Sequence, residues 1–180
     1  PERVKVLVLD DSVVKRNRSK SVELLAHVYD HVEHRFQKGF TLLTLGWSDG
    51  YSFIPVGFNL LSSVKKNNRY NEVSENIDHR TNGYKFRKES MMSKTDAAVL
   101  LIQRALQSGI KADYLLMDTW FTTEPMIRSV LNAGLDVIGI VKQLKQRYTY
   151  KGKKYTLHEL KRMVRFEGAK NSHHQNRNSC

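Results

Sequence analysis

The chain opens with an apolar run that ends on two acids. Residues 4–9 (VKVLVL) are β-branched or leucine apart from one lysine, which predicts a strand buried on most of both faces. Asp10 and Asp11 follow at once, and the polar and basic residues after them predict a loop over 11–21. The next stretch, 22–36, has apolar residues three and four positions apart. This spacing suits a short helix but leaves an extended conformation open.

A β-hairpin is predicted next. Residues 39–47 and 51–61 are rich in β-forming residues and are separated by a Ser-Asp-Gly turn. Pro55 has no backbone N–H to donate, so the second strand is expected at a sheet edge or at a bulge. Residues 62–93 are polar and basic and show no clear period, which predicts a long exposed insert.

The second half of the chain alternates helices with short strands. From Ser93 the apolar residues recur on one helix face, and Gly109 is the natural end of that helix. Ser93 and Asp96 resemble a capping box. Three more elements follow, each bounded by turn residues: a strand over 114–118, a helix over 122–134 and a strand over 137–141.

The resulting order of strand, hairpin, helix, strand, helix and strand is the core order of the ribonuclease-H-like fold, an α/β fold in which a mixed sheet is flanked by helices. Two buried strands end on an acid, Asp10 and Asp118. Because these strands can be neighbours, both carboxylates can meet at one edge of the sheet. Two close carboxylates repel each other unless a divalent cation lies between them. We therefore predict a metal site from Asp10 and Asp118, with Asp11 as the competing ligand; an ordinary turn or cap role is the alternative.

The net charge points to a polyanionic partner. Lysine and arginine number 30 against 18 acids, for a formal net charge of +12, and nucleic acid is the commonest polyanion. Bases near the acids would contact phosphates, giving affinity rather than sequence reading. Trp120, close to Asp118, is expected either to stack on an unpaired base or to pack under the site. The predicted DNA contacts are Lys15, Arg16, Arg18, Lys20, Trp120, Lys142, Lys145 and Arg147.

Other polar groups have simpler interpretations. His27, His31 and His34 are spaced to lie on one helix face, and we expect a solvated face there rather than a metal site. Asp49 is expected to be a turn residue. The tyrosines and bases of 147–157 predict a small hairpin around a glycine, which either follows a DNA strand or is an ordinary basic hairpin.

Several protein classes are disfavoured. No apolar run approaches the length of a membrane span, no signal peptide is visible, and no glycine-rich phosphate loop is present. The single cysteine, Cys180, excludes an internal disulfide and suits a reducing cytosol. We expect residues 1–164 to form an incomplete catalytic core and residues 165–180, which carry almost nothing apolar, to be a disordered or truncated tail.

Four motifs give the chain a resemblance to a known family. The stretches DDSVVKR, HRFQKGF, GWSDG and MDTWF occur in this order. Over about residues 4–163 they resemble the catalytic core of DDE superfamily endonucleases, the transposases of cut-and-paste bacterial insertion sequences. The resemblance implies Mg²⁺ or Mn²⁺, as two ions, with Asp10 and Asp118 as catalytic ligands. It also implies cleavage at transposon ends, strand transfer into target DNA, a homodimer on DNA, and a nucleoid-associated location in the bacterial cytoplasm.

The resemblance is incomplete at its third carboxylate. The family places a glutamate on a helix after the last core strand, reached through an inserted β-rich region. Here the chain enters what resembles the start of that region, YTYKGKKYTL, and ends soon after. Glu159 and Glu167 are the acids that remain, and neither is predicted to be this glutamate, so the third ligand is unknown. The alternatives are a structure-specific nuclease of the same fold and a truncated, non-catalytic DNA-binding remnant.

Overall fold

The computed structural model describes residues 3–142 and 145–163 and divides into two units, 1–140 and 141–180. The first unit contains a six-stranded sheet and the second a two-stranded one. The strands of the first unit are β1 (Val6–Lys15), β2 (Ala26–Asp30), β3 (Arg35–Ser48), β4 (Phe53–Leu61), β5 (Tyr114–Met117) and β6 (Asp136–Gly139). Its helices are α1 (Asn82–Ser90), α2 (Lys94–Gln107) and α3 (Glu124–Asn132), with a 3-10 turn at Lys66–Asn68.

The large sheet is mixed. β3 is antiparallel to β1 on one edge and to β2 and β4 on the other, whereas β1, β5 and β6 are parallel neighbours. The order β4–β3–β1–β5–β6 is the predicted ribonuclease-H-like arrangement, so the fold class is confirmed. Two parallel crossovers carry the helices, because parallel strands cannot be joined by a tight turn.

One apolar core joins the helices to the sheet. The inward residues of β1 and β5, including Leu7, Leu9, Leu115 and Met117, pack against α2 and α3. The predicted start of α2 is confirmed, because the Ser93 hydroxyl accepts a hydrogen bond from the N–H of Asp96 at 3.1 Å. Since the buried side chains of both helices belong to this one cluster, the helices cover the same face of the sheet.

β1 is longer than the sequence predicted. The strand was expected over 4–9 with a loop over 11–21, but it continues through Asp10 to Lys15. The reason is β3, which has 14 residues and pairs with β1 as far as the partners Lys15 and Gly39. Asp10 and Asp11 therefore lie inside the strand. Lys15, the first of the bases predicted for the loop, is the last residue of the strand.

The segment 22–36 contains β2 with turns on both sides of it, so the extended conformation left open by the sequence is confirmed and the helical one is wrong. β2 alternates buried Val28 with exposed His27 and Tyr29, which is the period of a strand. The three histidines therefore do not share a helix face, because His27 lies on β2, His31 follows it, and His34 sits in the turn with a φ of +52°.

The insert over 62–93 contains more structure than predicted. It includes α1, whose Thr81 side chain accepts a hydrogen bond from the N–H of Tyr84. The carboxylate of Glu89, on α1, is buried and accepts two hydrogen bonds from Arg104 of α2, at 2.6 and 2.8 Å. Because charge pairing rather than an apolar stripe fixes this helix, the segment has no hydrophobic period to detect.

The hairpin turn between β3 and β4 is confirmed. The Asp49 carboxylate accepts hydrogen bonds from the N–H groups of Ser52 at 2.8 Å and Tyr51 at 3.1 Å, and it pairs with Arg3 at 3.0 Å. These contacts, the Ser52 bond above all, lower the pKa of Asp49 to about 2. β4 is an edge strand with a register shift opposite Pro55, as the proline predicted.

The Asp49 turn gives a prediction about acid. Its pKa in the folded chain lies below its ordinary value of 3.8, so the ionised carboxylate favours the folded state above about pH 4. That contribution is lost as the pH falls from about 4 to about 2. A carbon-detected NMR titration should place the Asp49 midpoint near 2, and the thermal midpoint of Asp49→Asn should approach that of the parent as the pH falls through this window. A midpoint near 4 would contradict the turn geometry.

The second unit contains the predicted basic hairpin. β7 (Tyr148–Tyr150) and β8 (Lys153–Tyr155) are antiparallel and joined through Gly152, with a φ of +77°. A helical segment follows over 157–163, where the Glu159 carboxylate accepts the Thr156 N–H at 2.6 Å. The tail predicted over 165–180, with Glu167 and Cys180, lies outside the described residues. No helix within 3–142 or 145–163 is long and apolar enough to cross a membrane.

Candidate metal and nucleic-acid site

Strand register brings the two predicted metal ligands together. β1 and β5 are parallel and pair from Val6 with Tyr114 up to Leu9 with Met117. One further step along both strands sets Asp10 beside Asp118, and neighbouring strands lie about 4.8 Å apart. Leu9 is buried in the core, so the alternation of the strand turns the exposed Asp10 to the opposite face.

The loop after β5 holds Asp118 in place. Its Oδ1 accepts hydrogen bonds from the N–H of Trp120 at 2.9 Å and of Phe121 at 3.3 Å. The Thr122 hydroxyl donates to the Asp118 carbonyl oxygen at 2.6 Å. The second carboxylate oxygen, Oδ2, has no such partner among residues 3–142, so one oxygen is oriented and the other can take a ligand.

The two adjacent aspartates of β1 have different environments. Asp11 faces the helices, its side chain is 12% exposed, and its Oδ2 lies 2.8 Å from the Nζ of Lys94 at the start of α2. Asp10 is exposed, and its carboxylate has no ion pair within the described part of the chain. Lys94 was not predicted as a site residue; the one signal for it in the sequence is its place directly after the Ser93 cap, at the start of a helix. The Asp11 charge is therefore already compensated, and that of Asp10 is not.

The arrangement fits a hard divalent cation. Mg²⁺ commonly uses one or two protein carboxylates and completes its shell with water and phosphate oxygens. Asp10 and the second oxygen of Asp118 are two such ligands on adjacent strands. Within the part that the structure describes, no group of three or more His, Cys, Asp or Glu side chains could hold a metal. Glu159 caps a helix, and its pKa is lowered mainly by the hydrogen bond from the Thr156 N–H.

The phosphate contacts predicted in the first unit differ in whether their charge is already compensated. The ammonium of Lys15 lies 3.2 Å from Asp30 and also pairs with Glu33, and the bond to Glu33 raises its pKa. Its charge is therefore compensated, which weakens it as a DNA contact. The other bases after β1 are exposed and form no side-chain ion pair with the described residues: Arg16, Arg18 and Lys20.

Three further predicted bases, Lys142, Lys145 and Arg147, belong to the second unit. Lys145 and Arg147 are exposed, and Lys142 is half-buried. Their role in DNA binding stays a prediction.

The aromatic pair after Asp118 divides between two roles. Phe121 is 3% exposed and belongs to the core. Trp120 is 51% exposed, and its ring lies against that of His31 with the centroids 4.4 Å apart. Of the two roles foreseen for Trp120, its exposure leaves stacking available, whereas Phe121 takes the packing role.

Two solved structures show similarity to the chain. One is the piggyBac transposase synaptic complex with hairpin DNA, at 15% identity and a TM-score of 0.36, covering 78% of this chain and 24% of that one. The other is the Drosophila P element transposase strand transfer complex, at 10% identity and a TM-score of 0.34, covering 92% of this chain and 35% of that one. The chain thus spans about a quarter and a third of their respective lengths. No curated protein matches it.

A family model decides the assignment. The model described as DDE superfamily endonuclease matches residues 1–153, which is most of the chain and includes both Asp10 and Asp118. The chain therefore belongs to the DDE superfamily of endonucleases.

Proposed function

We propose that the chain is the catalytic part of a DNA transposase that cleaves phosphodiester bonds with divalent cations held by Asp10 and Asp118. Membership in the DDE superfamily implies a nuclease-type enzyme. The observation that supports the assignment of the two ligands is the parallel register of β1 and β5, which makes them neighbours in the sheet. The net charge of +12 supports DNA as the partner.

Each side chain has a distinct part in this proposal. Asp10 offers a carboxylate that has no ion pair among the described residues. Asp118 offers its Oδ2, because its Oδ1 accepts from the Trp120 and Phe121 N–H groups and thereby fixes the orientation of the carboxylate. Asp10 and Asp118 would hold Mg²⁺ or Mn²⁺, as two ions, and the bound ions would supply the Lewis acidity that activates an attacking oxygen and stabilises a leaving one. Lys94 neutralises the charge of Asp11, so Asp11 adds no net negative charge beside Asp10 and Asp118. The exposed bases after β1 hold the phosphate backbone.

The finer reaction is also part of the proposal. Water attacks the phosphorus of the phosphodiester at the element end, which leaves a 5′ phosphate on one product and frees a 3′ hydroxyl on the other. That hydroxyl then attacks a phosphodiester of target DNA, joins the target's 5′ phosphate and releases the target's own 3′ hydroxyl. The remaining parts, an insertion-sequence origin, a homodimer on DNA and a nucleoid-associated location in the bacterial cytoplasm, come from the resemblance of the motifs.

A non-catalytic DNA-binding remnant is the second candidate. It is favoured by one observation, namely that the described residues bring together two carboxylates and no third metal ligand. This candidate shares the DNA partner and differs in metal binding, so a metal titration separates the two.

The test is a calorimetric titration of Mn²⁺ into the chain and its Asp118→Asn variant. Asparagine can still accept the Trp120 N–H, so the loop should keep its fold while the ligand charge is lost. The matched control is Asp136→Asn, which removes an exposed acid from the opposite end of the neighbouring strand. We expect binding heat in the parent and the control and none in Asp118→Asn. Equal heat in all three would contradict the ligand assignment, and no heat in the parent would favour the remnant.

A further inference from the structure

Six aromatic side chains form a continuous strip on the surface beside Asp118. Each ring contacts the next, with centroid separations of 4.4, 5.0, 5.1, 4.8 and 6.3 Å. All six are exposed, and Phe36 is 58% exposed. In order, the members of this ring strip are Trp120, His31, Tyr29, Phe36, His27 and Tyr70.

Strand pairing builds the middle of the ring strip. Tyr29 of β2 lies directly opposite Phe36 of β3, and His27 lies opposite Lys38. Val28 is buried because alternate side chains point to opposite faces, so the rings collect on the outer one. Tyr70 joins them because its N–H donates to the Leu25 carbonyl at 2.7 Å, just before β2 begins.

The chemistry of the ring strip suits nucleic-acid bases. A cation accompanies it, because the Lys38 ammonium lies 4.7 Å from the centroid of the Tyr70 ring. The acids of the hairpin, Asp30 and Glu33, are paired with Lys15 and Arg35. Exposed rings combined with uncompensated positive charge are the pattern of proteins that bind single-stranded nucleic acid, because every base has a flat face that can stack.

The position of the ring strip ties it to the candidate metal site. Trp120 is its first member, and the Trp120 N–H donates to the Asp118 carboxylate at 2.9 Å. A DNA strand whose phosphate is bound at Asp118 would therefore contact Trp120 before the other rings. From there the rings continue along β2 to Tyr70.

We propose that the ring strip binds an unpaired DNA strand, by base stacking, where that strand leaves the phosphate held at Asp10 and Asp118. The identity of that phosphate rests on the proposed function. The stacking itself needs no metal, so it can be tested without one.

The test measures fluorescence anisotropy of a labelled oligothymidine of about 12 nucleotides, and of a duplex of the same length, with the 180-residue chain in EDTA. The first variant, Tyr29→Leu with Phe36→Leu, removes two flat faces and keeps apolar bulk. The second, Tyr29→Phe with Phe36→Tyr, keeps both rings. A control, Phe58→Leu, removes an aromatic side chain that is 67% exposed on β4 and makes no ring contact with any described member of the ring strip. We expect the leucine variant to lose about tenfold or more in single-strand affinity, because it lacks two of the flat faces on which bases stack.

The other results expected are equally specific. The ring-keeping variant and Phe58→Leu should bind single strands like the parent, and the duplex affinity of the leucine variant should change little. If that variant does not fold, Tyr70→Leu makes the same test, because Tyr70 lies outside the strands. Unchanged single-strand binding in the leucine variant, or equal losses for single strand and duplex, would overturn the proposal.

A second readout uses the intrinsic fluorescence of Trp120. In a Trp47→Phe background Trp120 is the remaining tryptophan, and the oligothymidine should quench it. Failure to quench would overturn the part of the proposal that begins the strip at Trp120. Asp118→Asn should lose Mn²⁺ and keep this single-strand binding. Failure of the metal site and failure of the ring strip are therefore distinguishable.

Discussion

Replacing Asp10 by asparagine should abolish Mn²⁺ binding, whereas the same change at the adjacent Asp11 should leave binding largely intact. Asp10 faces away from the core and lies in register with Asp118, but Asp11 faces α2 and is paired with Lys94. The stabilities should change in the opposite sense. Asp11→Asn removes a charge-assisted hydrogen bond to a partly buried ammonium, at a cost of about 1–2 kcal/mol. Asp10→Asn removes repulsion from Asp118 and should be neutral or stabilising by up to about 1 kcal/mol.

Urea denaturation and Mn²⁺ calorimetry on the same two variants measure both effects. The two substitutions are chemically identical and one residue apart, so each is the control for the other. If Asp11→Asn lost Mn²⁺ binding and Asp10→Asn kept it, Asp11 would be the ligand and the assignment of Asp10 would be wrong. If both variants lost Mn²⁺ binding, both aspartates would be needed to bind the ion.

The juxtaposition of Asp10 and Asp118 was predictable because it depends on topology. A β-strand that is reached through a helical crossover lies parallel to its neighbour in the sheet. Acids that directly follow the apolar residues of two such strands then lie side by side at the same edge of the sheet. The apolar run fills both faces of the strand, so it did not determine which of Asp10 and Asp11 lies on the same face as Asp118. The partner that distinguishes them, Lys94, is 83 residues from Asp11. Local sequence carries no signal of such a contact.

The error at β1 has a related cause. The polar residues of 11–21 predict a loop, yet Asp11 and Lys15 belong to the strand. Backbone hydrogen bonds to β3 hold this part of β1, and they do not depend on apolar side chains. Pairing over so many positions is a tertiary effect, and it overrode the local preference.

In β2 one buried acid obscures the alternation of polar and apolar residues by which a strand is predicted. Its outer residues, His27 and Tyr29, alternate with the inner Val28 and Asp30. Burial of Asp30 is tolerated because the N–H groups of Glu33 and Val32 donate to its carboxylate and Lys15 pairs with it. These contacts, the Glu33 N–H above all, lower the pKa of Asp30. An acid at an inward position broke the apparent alternation, and the helical spacing of 22–36 was coincidental. The ring strip was missed for this reason.

The pair of Glu89 and Arg104 should give an asymmetric loss of stability, larger when the arginine is removed. The Glu89 side chain is 10% exposed and that of Arg104 is 45% exposed. Arg104→Met would leave a buried carboxylate with only the weak Asn59 contact at 3.4 Å, at a cost of about 2–3 kcal/mol. Glu89→Gln leaves an arginine that water can reach, so we expect a cost of about 1 kcal/mol.

A double variant makes this prediction sharper. Glu89→Leu combined with Arg104→Met replaces the ion pair with apolar groups, which is often neutral where removal of one partner is not. The double variant should therefore be more stable in urea than Arg104→Met alone. Because Glu89 is the buried residue of α1, the loss in Arg104→Met should also appear as faster hydrogen exchange in that helix. Equal stabilities of the two single variants, or a double variant that loses the sum of their costs, would mean that the pair does not hold α1 against α2.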